Sequence, residues 1–228
     1  MTALILHGGA GARRERNYDA EVAHMRQVVE AMKPRLDAGE SALDVAVAAV
    51  VMLVGEGAAL FAQDQGLEPI ADEAAWYTGA GQGEDNHPPG TLSHGTVGAC
   101  VLDSQGRLAA ATSTAGVFGK MPGRAGDTPI PAAGTWADGH AATSCTGQGE
   151  YFIRVAAAAQ VAWRVAAGQS LADATQAVID EIGQMGGDGG LIALDAAGNI
   201  AAPFNSQGMK HAWLTPDGEI GVEVFERR

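Results

Sequence analysis

The chain lacks the features that would mark a disulfide scaffold, a membrane span or a nucleic-acid binder. It has 2 cysteines in 228 residues, too few for a disulfide framework. Cys100 and Cys145 fall on predicted core strands, so both are read as reduced, buried thiols, Cys145 as core filler and not a nucleophile. Basic residues number 14 against 27 acidic ones, a net charge of −13. That balance leaves no basic face for nucleic acid or an anionic membrane. The longest apolar run, Val45 to Gly55, falls short of the about 20 residues that cross a bilayer and reads as a buried helix. No basic segment precedes the short apolar run after Met1, so no secretory leader is read and a cytoplasmic location is expected. The 6 histidines show no zinc spacing, and there is no phosphate-loop signature G-x-x-x-x-G-K-[ST]. Neither a metal nor a cofactor is expected.

What is abundant is glycine, 32 residues, about twice the usual share of about 7%. The excess lies in turns and in short motifs where backbone must approach something closely. One domain over 1–228 fits this length. Ala3–Leu6 reads as a strand, and Tyr18–Leu36 as a helix weakened by Pro34. Ser41 with Asp44 opens a second helix running toward Ala62. Residues 66–93, rich in Gly, Pro and acidic residues, read as a mobile linker. Beyond it come strands Thr96–Asp103, Arg107–Thr112 and Ala141–Thr146, then helices Tyr151–Ala167 and Leu171–Met185, the latter capped by Ser170. Two hairpins close the chain, Leu191–Asp195 with Asn199–Pro203 and His211–Thr215 with Ile220–Phe225. This order predicts layered α/β packing.

The chemistry concentrates on His94-Gly95-Thr96-Val97-Gly98-Ala99. Inside a peptide, threonine is a weak nucleophile. If the Gly95–Thr96 bond is cut, Thr96 gains an α-amine beside its own hydroxyl, with an ordinary pKa of about 7.7–8.0. That amine can serve as the base that activates the hydroxyl. Gly95 would let the backbone turn sharply before the strand. Further on stand Thr112-Ser113-Thr114, then Gly123-Arg124-Ala125-Gly126-Asp127, then Ser144-Cys145-Thr146-Gly147-Gln148-Gly149-Glu150, and Asn205-Ser206-Gln207-Gly208. Arg124 and Asp127 lie three apart in a Pro/Gly-rich loop. A guanidinium can grip a substrate carboxylate and an aspartate can hold its ammonium, which suits aspartyl α-groups.

With His7-Gly8-Gly9-Ala10-Gly11 at the start, this ordered set resembles the plant-type asparaginases, the isoaspartyl peptidase/L-asparaginases of the N-terminal nucleophile hydrolase superfamily. The resemblance implies a four-layer αββα sandwich. It implies self-cleavage between Gly95 and Thr96 into chains 1–95 and 96–228, with 66–93 trailing the first chain. It makes Thr96 the nucleophile and Thr114 a hydroxyl that tunes proton movement beside it. The Thr146 hydroxyl and the Gly147 N–H become the oxyanion hole, and Gly149 lines the substrate pocket. The His7–Gly11 loop would help the precursor reach a cleavable shape. Thr112 matches a motif position and receives no chemical role. The substrates expected are β-aspartyl (isoaspartyl) dipeptides and L-asparagine, and the assembly expected is a homodimer of cleaved protomers.

The chain departs from that family at one point. Val51-Met52 runs directly into Leu53-Val54-Gly55-Glu56-Gly57-Ala58, where family members carry several dozen further residues, including a sodium-binding loop and an asparagine that supports the site. Two other readings therefore stand beside the active hydrolase. One is a glycosylasparaginase-like amidase, against which Gly149-Glu150 and the cytosolic signs argue. The other is a catalytically inactive homologue that binds aspartyl groups.

Overall fold

The computed structural model describes residues 1–49, 95–117, 120–121 and 123–225. The expected continuation of the second helix to Ala62 and the linker 66–93 lie outside the described residues.

Strand β1, Ala3–Ala10, organises the first sheet. It pairs antiparallel on one side with β2, Val97–Leu102, and on the other with β8, Met209–Leu214, so that Ile5 faces Cys100 and Trp213. Strand β3, Leu108–Ser113, extends the sheet beyond β2, and β9, Ile220–Glu223, extends it beyond β8, in the order β3-β2-β1-β8-β9. A second antiparallel sheet holds β4, Thr135–Ala137, β5, Ala141–Gly147, β6, Gly189–Asp195, and β7, Ile200–Ala201, in chain order. Short β4 has no counterpart in the sequence reading, and β7 is shorter than the predicted Asn199–Pro203.

The side-chain period of two decides what each strand face touches. Leu4 and Leu6 of β1 pack with Val29 and Leu36 of helix α1, Asp19–Asp37, and with Val45 of helix α2, Ala42–Ala49. Ala3 and Ile5 point the other way and pack with Ala142 of β5 and Ile192 and Leu194 of β6. The opposite face of the second sheet, through Cys145, Leu191 and Ala193, meets Phe152, Val161 and Val178. Those three belong to helices α3, Gly149–Arg154, α4, Ala157–Ala166, and α5, Leu171–Gln184. Cys100 and Cys145 are buried free thiols, as expected, and burial pushes both well above the ordinary thiol range.

The predicted single helix Tyr151–Ala167 is two helices. Ala156 adopts a left-handed φ of 49° between α3 and α4. The break turns α4 so that Ala158 N and Ala159 N donate to the carbonyls of Ala133 and Ala132, which satisfies first-turn amides that would otherwise be orphaned. Ser41 does cap α2: its Oγ accepts from Asp44 N at 3.1 Å and donates to the Asp44 carboxylate. Pro34 stays inside α1, in its last turn.

Asp103, in the β2–β3 turn, fixes both its own hairpin and the start of α2. Its carboxylate accepts from Gln105 N at 2.9 Å, Arg107 N at 3.0 Å and Arg107 Nε at 2.7 Å, and from Ala42 N at 2.9 Å. Burial pushes its pKa up, but these donors outweigh burial and hold it below the ordinary value. Its stabilisation is therefore present above the ordinary aspartate range and is lost as pH falls below it. We expect Asp103→Ala to destabilise the protein by about 3 kcal/mol in urea unfolding at neutral pH. A loss below the level of an ordinary surface substitution would show that the turn and the α2 start hold without it.

Candidate active site

The β2–β3 pairing sets the register at the site. Gly98 faces Thr112 and Val97 faces Ser113, so Thr96 and Thr114 stand one step further, side by side at the strand ends. The Thr96 hydroxyl donates to Thr114 Oγ1 at 3.0 Å, and Gly116 N donates to the same Thr114 oxygen at 2.8 Å. Thr96 is only 7% exposed, while Gly95 before it is exposed and has open space where a Cβ would sit. Among the described residues, nothing crowds a Cβ at this position.

Thr146 and Gly147 end β5, the strand of the second sheet that carries the oxyanion candidates. Ala10 N donates to Thr146 Oγ1 at 3.3 Å, which leaves the hydroxyl proton of Thr146 available to a further acceptor. At Gly147 a Cβ would come within 2.5 Å of the Asp188 carbonyl oxygen, so only glycine lets the chain turn from β5 toward α3. Gly149 packs closely against the Asp127 loop. Its missing Cβ makes room for Asp127, whose N and Oδ1 would lie 2.6 and 2.7 Å away.

The charged candidates divide. Arg124 does not pair with Asp127. It grips Glu150 bidentately, Nε to Oε1 at 2.8 Å and Nη2 to Oε2 at 2.7 Å. The Arg124 side chain is 12% exposed and that of Glu150 57%, so the cation is anchored and its carboxylate partner faces water. Together with Val117, Gln148, Tyr151 and Arg154 they line a cavity of about 380 Å³. Asp127 is buried, and its Oδ2 has no hydrogen-bond partner. Burial raises its pKa to about 6, against the opposing pull of its backbone hydrogen bonds and of Arg124.

Three polar residues outside the predicted set stand directly behind these groups. The ring of His7 on β1 bonds Ser144 Oγ on β5 at 2.9 Å, and Ser144 Oγ bonds Thr112 Oγ1 on β3 at 2.7 Å. The His7 ring also meets the Thr96 backbone carbonyl, and burial followed by repulsion from His211 drives its pKa down to about 3. The signal for Thr112 and Ser144 was spacing: each stands two residues before a motif threonine, Thr114 or Thr146, hence on one face in an extended run.

Comparison with known proteins decides the family. The sequence model of a family described as asparaginase matches residues 50–222, most of the chain. The chain belongs to this asparaginase family. An isoaspartyl peptidase from Salmonella typhimurium is 34% identical over 294 aligned positions, covering 92% of this chain and 94% of that protein. An isoaspartyl peptidase from Escherichia coli is 44% identical over 72% of this chain, and a plant-type L-asparaginase from Pyrobaculum calidifontis 35% identical over 76%. These two matches span 56% and 62% of those relatives' own lengths. Since 92% of 228 residues is far fewer than 294 positions, several dozen positions of the Salmonella relative face gaps in this asparaginase-family chain, a shortening of the size expected after Met52. Among the described residues no group of three or more His, Cys, Asp or Glu side chains gathers to hold a metal ion.

The buried, unsatisfied Asp127 has a measurable consequence. Its pKa of about 6 lies above the ordinary 3.8, so the folded protein binds more protons than the unfolded chain between those values. Its penalty is absent at low pH and develops as pH rises through about 6. Asp127→Asn should therefore be more stable than wild type at neutral pH, by up to about 3 kcal/mol. The two should converge below the ordinary aspartate pKa. Parallel stability curves from acid to neutral pH would show that Asp127 titrates normally.

Proposed function

We propose that this chain is a self-cleaving threonine hydrolase that acts on β-aspartyl (isoaspartyl) dipeptides and on the side-chain amide of L-asparagine. The observation that carries the reading is the part-buried Thr96–Thr114 hydroxyl pair at 3.0 Å, at the start of β2 in a member of the asparaginase family. In the first reaction the Thr96 hydroxyl attacks the Gly95 carbonyl carbon. The peptide C–N bond breaks as a Gly95–Thr96 ester forms, and the Thr96 nitrogen becomes an amine. Water then hydrolyses the ester, giving chains 1–95 and 96–228. In the second reaction the amine takes the proton of its own hydroxyl, and the oxygen attacks the substrate's β-carbonyl. The Thr146 hydroxyl and the Gly147 N–H receive the negative oxygen, a stabilisation whose loss typically costs about 10²–10³ in rate. The leaving amine departs protonated, and water releases aspartate from the ester on Thr96. Thr114 fixes the hydroxyl and shares its proton.

Arg124 takes the substrate α-carboxylate in place of Glu150, and Asp127 takes the α-ammonium, which would satisfy the bare Oδ2. Gly149 keeps that loop close. The three apolar clusters support a four-layer αββα sandwich in one domain, with helices outside two facing sheets. A homodimer of cleaved protomers is supported by Leu43 and Val47, four apart on α2 and 61% and 42% exposed, an apolar stripe of the kind that interfaces cover. The relatives' names, isoaspartyl peptidase and plant-type L-asparaginase, give the glycosylasparaginase alternative no support.

Intact mass tests the first reaction. Wild type should resolve into 1–95 and 96–228, and Thr96→Ala should stay one chain. A wild type that stays whole after long incubation at neutral pH would leave the binding-protein alternative in possession. Arg124→Ala tests the second reaction: turnover of β-aspartyl dipeptides should fall by about 2–5 kcal/mol in transition-state energy, while cleavage at Gly95 proceeds. Equal loss of both would make Arg124 a structural residue.

A further inference from the structure

Behind Thr96, Thr114 and Thr146 lies a second layer, displaced by two residues along each strand: Gly98 on β2, Thr112 on β3 and Ser144 on β5. Gly98 and Thr112 are in register. Ser144 Oγ and Thr112 Oγ1 meet at 2.7 Å, linking the second sheet to the first. His7 of β1 joins them through Ser144 at 2.9 Å, and Thr135 of β4 donates to Thr112. Gly98 is what permits the meeting. A Cβ there would lie 2.0 Å from Ser144 Oγ and 2.4 Å from His7 Nε2. The bonds also have a direction. Gly9 N donates to His7 Nδ1 at 3.4 Å, so the ring proton sits on Nε2 and is given to Ser144. Ser144 then donates to Thr112, whose own proton faces the Gly134 carbonyl at 3.5 Å.

We propose that the His7–Ser144–Thr112 chain is a positioning device that sets the separation between the strand carrying Thr146 and the strands carrying Thr96 and Thr114. The inference rests on the threonine-hydrolase reading of those three residues. Nucleophile and oxyanion donor come from different sheets, and apolar packing between sheets tolerates small slides that a short hydrogen bond does not. A buried polar network with every member partnered specifies one geometry. Misplacement on the order of 1 Å costs up to about 100-fold in rate. The ring must stay neutral for this arrangement, because Gly9 N already donates to Nδ1. Burial, with His211 and Lys210 of β8 as the facing charged or titratable groups, keeps it so.

Thr112→Val removes the hydroxyl and keeps the shape, whereas Thr112→Ser keeps the hydroxyl. Thr112→Val should lower kcat by about 10–100-fold with KM nearly unchanged and slow the cleavage at Gly95. Thr112→Ser should restore most of both. In ¹⁵N NMR of wild type, His7 should appear as the neutral Nε2–H tautomer at about pH 5, below the ordinary imidazole pKa of about 6.5. Wild-type kcat in Thr112→Val would overturn the proposal. So would a Thr112→Ser as impaired as Thr112→Val, or a protonated or Nδ1–H ring at His7. A wild type that neither cleaves nor turns over substrate would sink the hydrolase reading instead, and the His7 tautomer would then decide the network by itself.

Discussion

The pairing of β1 between β2 and β8 is the constraint on which the rest depends. β1 belongs to the segment before Gly95, and both its neighbours belong to the segment after it. Its residues Ala3, Leu4 and Ile5 are fully buried. Removing such side chains from their surroundings costs about 1.5–3 kcal/mol for each larger one, and every ladder hydrogen bond would open as well. A cut at Gly95 would therefore leave two chains that cannot part without dismantling the central sheet. The Asp103–Ala42 contact adds a second tie across the same boundary. β1 also carries His7, bonded to Ser144, and the Ala10 amide, bonded to Thr146, so the N-terminal segment is a structural part of the candidate site.

The same geometry accounts for the charges. Asp127 is held in a tight loop by two glycines: a Cβ at Gly149 or Gly134 would lie within 2.7 Å of its atoms. Burial without a partner makes its carboxylate costly, and a cationic ligand group is the simplest compensation. Arg124 is in the opposite situation, because Glu150 already satisfies it. That partner is more than half exposed, whereas the arginine is 12% exposed. In the proposed reading a substrate carboxylate takes its place and inherits the same fork. The two charges thus differ: Arg124 is satisfied by a solvent-facing carboxylate, and Asp127 is buried with an oxygen unpaired among the described residues.

The strands were legible because β1, β2, β5 and β6 are short, largely apolar runs, buried on both faces and bounded by turn residues. The caps of α2 and α5 were legible because Ser-x-x-Asp carries its own hydrogen bonds. The break at Ala156 was not, since an alanine-rich stretch carries no local signal for a left-handed residue. It is imposed by the Ala132–Ala133 carbonyls, distant in sequence. Motifs gave the residues at the strand ends. They did not give Glu150 as the partner of Arg124, because a loop contact between positions 26 apart has no periodicity. Nor did they explain Gly98, whose reason is a histidine on another strand.

The candidate threonines are held by strands among the described residues. Thr96, Thr114 and Thr146 stand on β2, β3 and β5 or at their ends, and these strands are held by one another and by β1 and β6. Their side chains find partners within the described residues: Thr96 with Thr114, and Thr146 with Ala10. Helix α2 packs on the outer side of the first sheet, the face of Leu4 and Leu6. The three threonines stand with Ser144 and Thr112 on the opposite face, between the sheets. What holds the Thr96 end among the described residues is therefore the meeting of the two sheets and not the helix on the outer side.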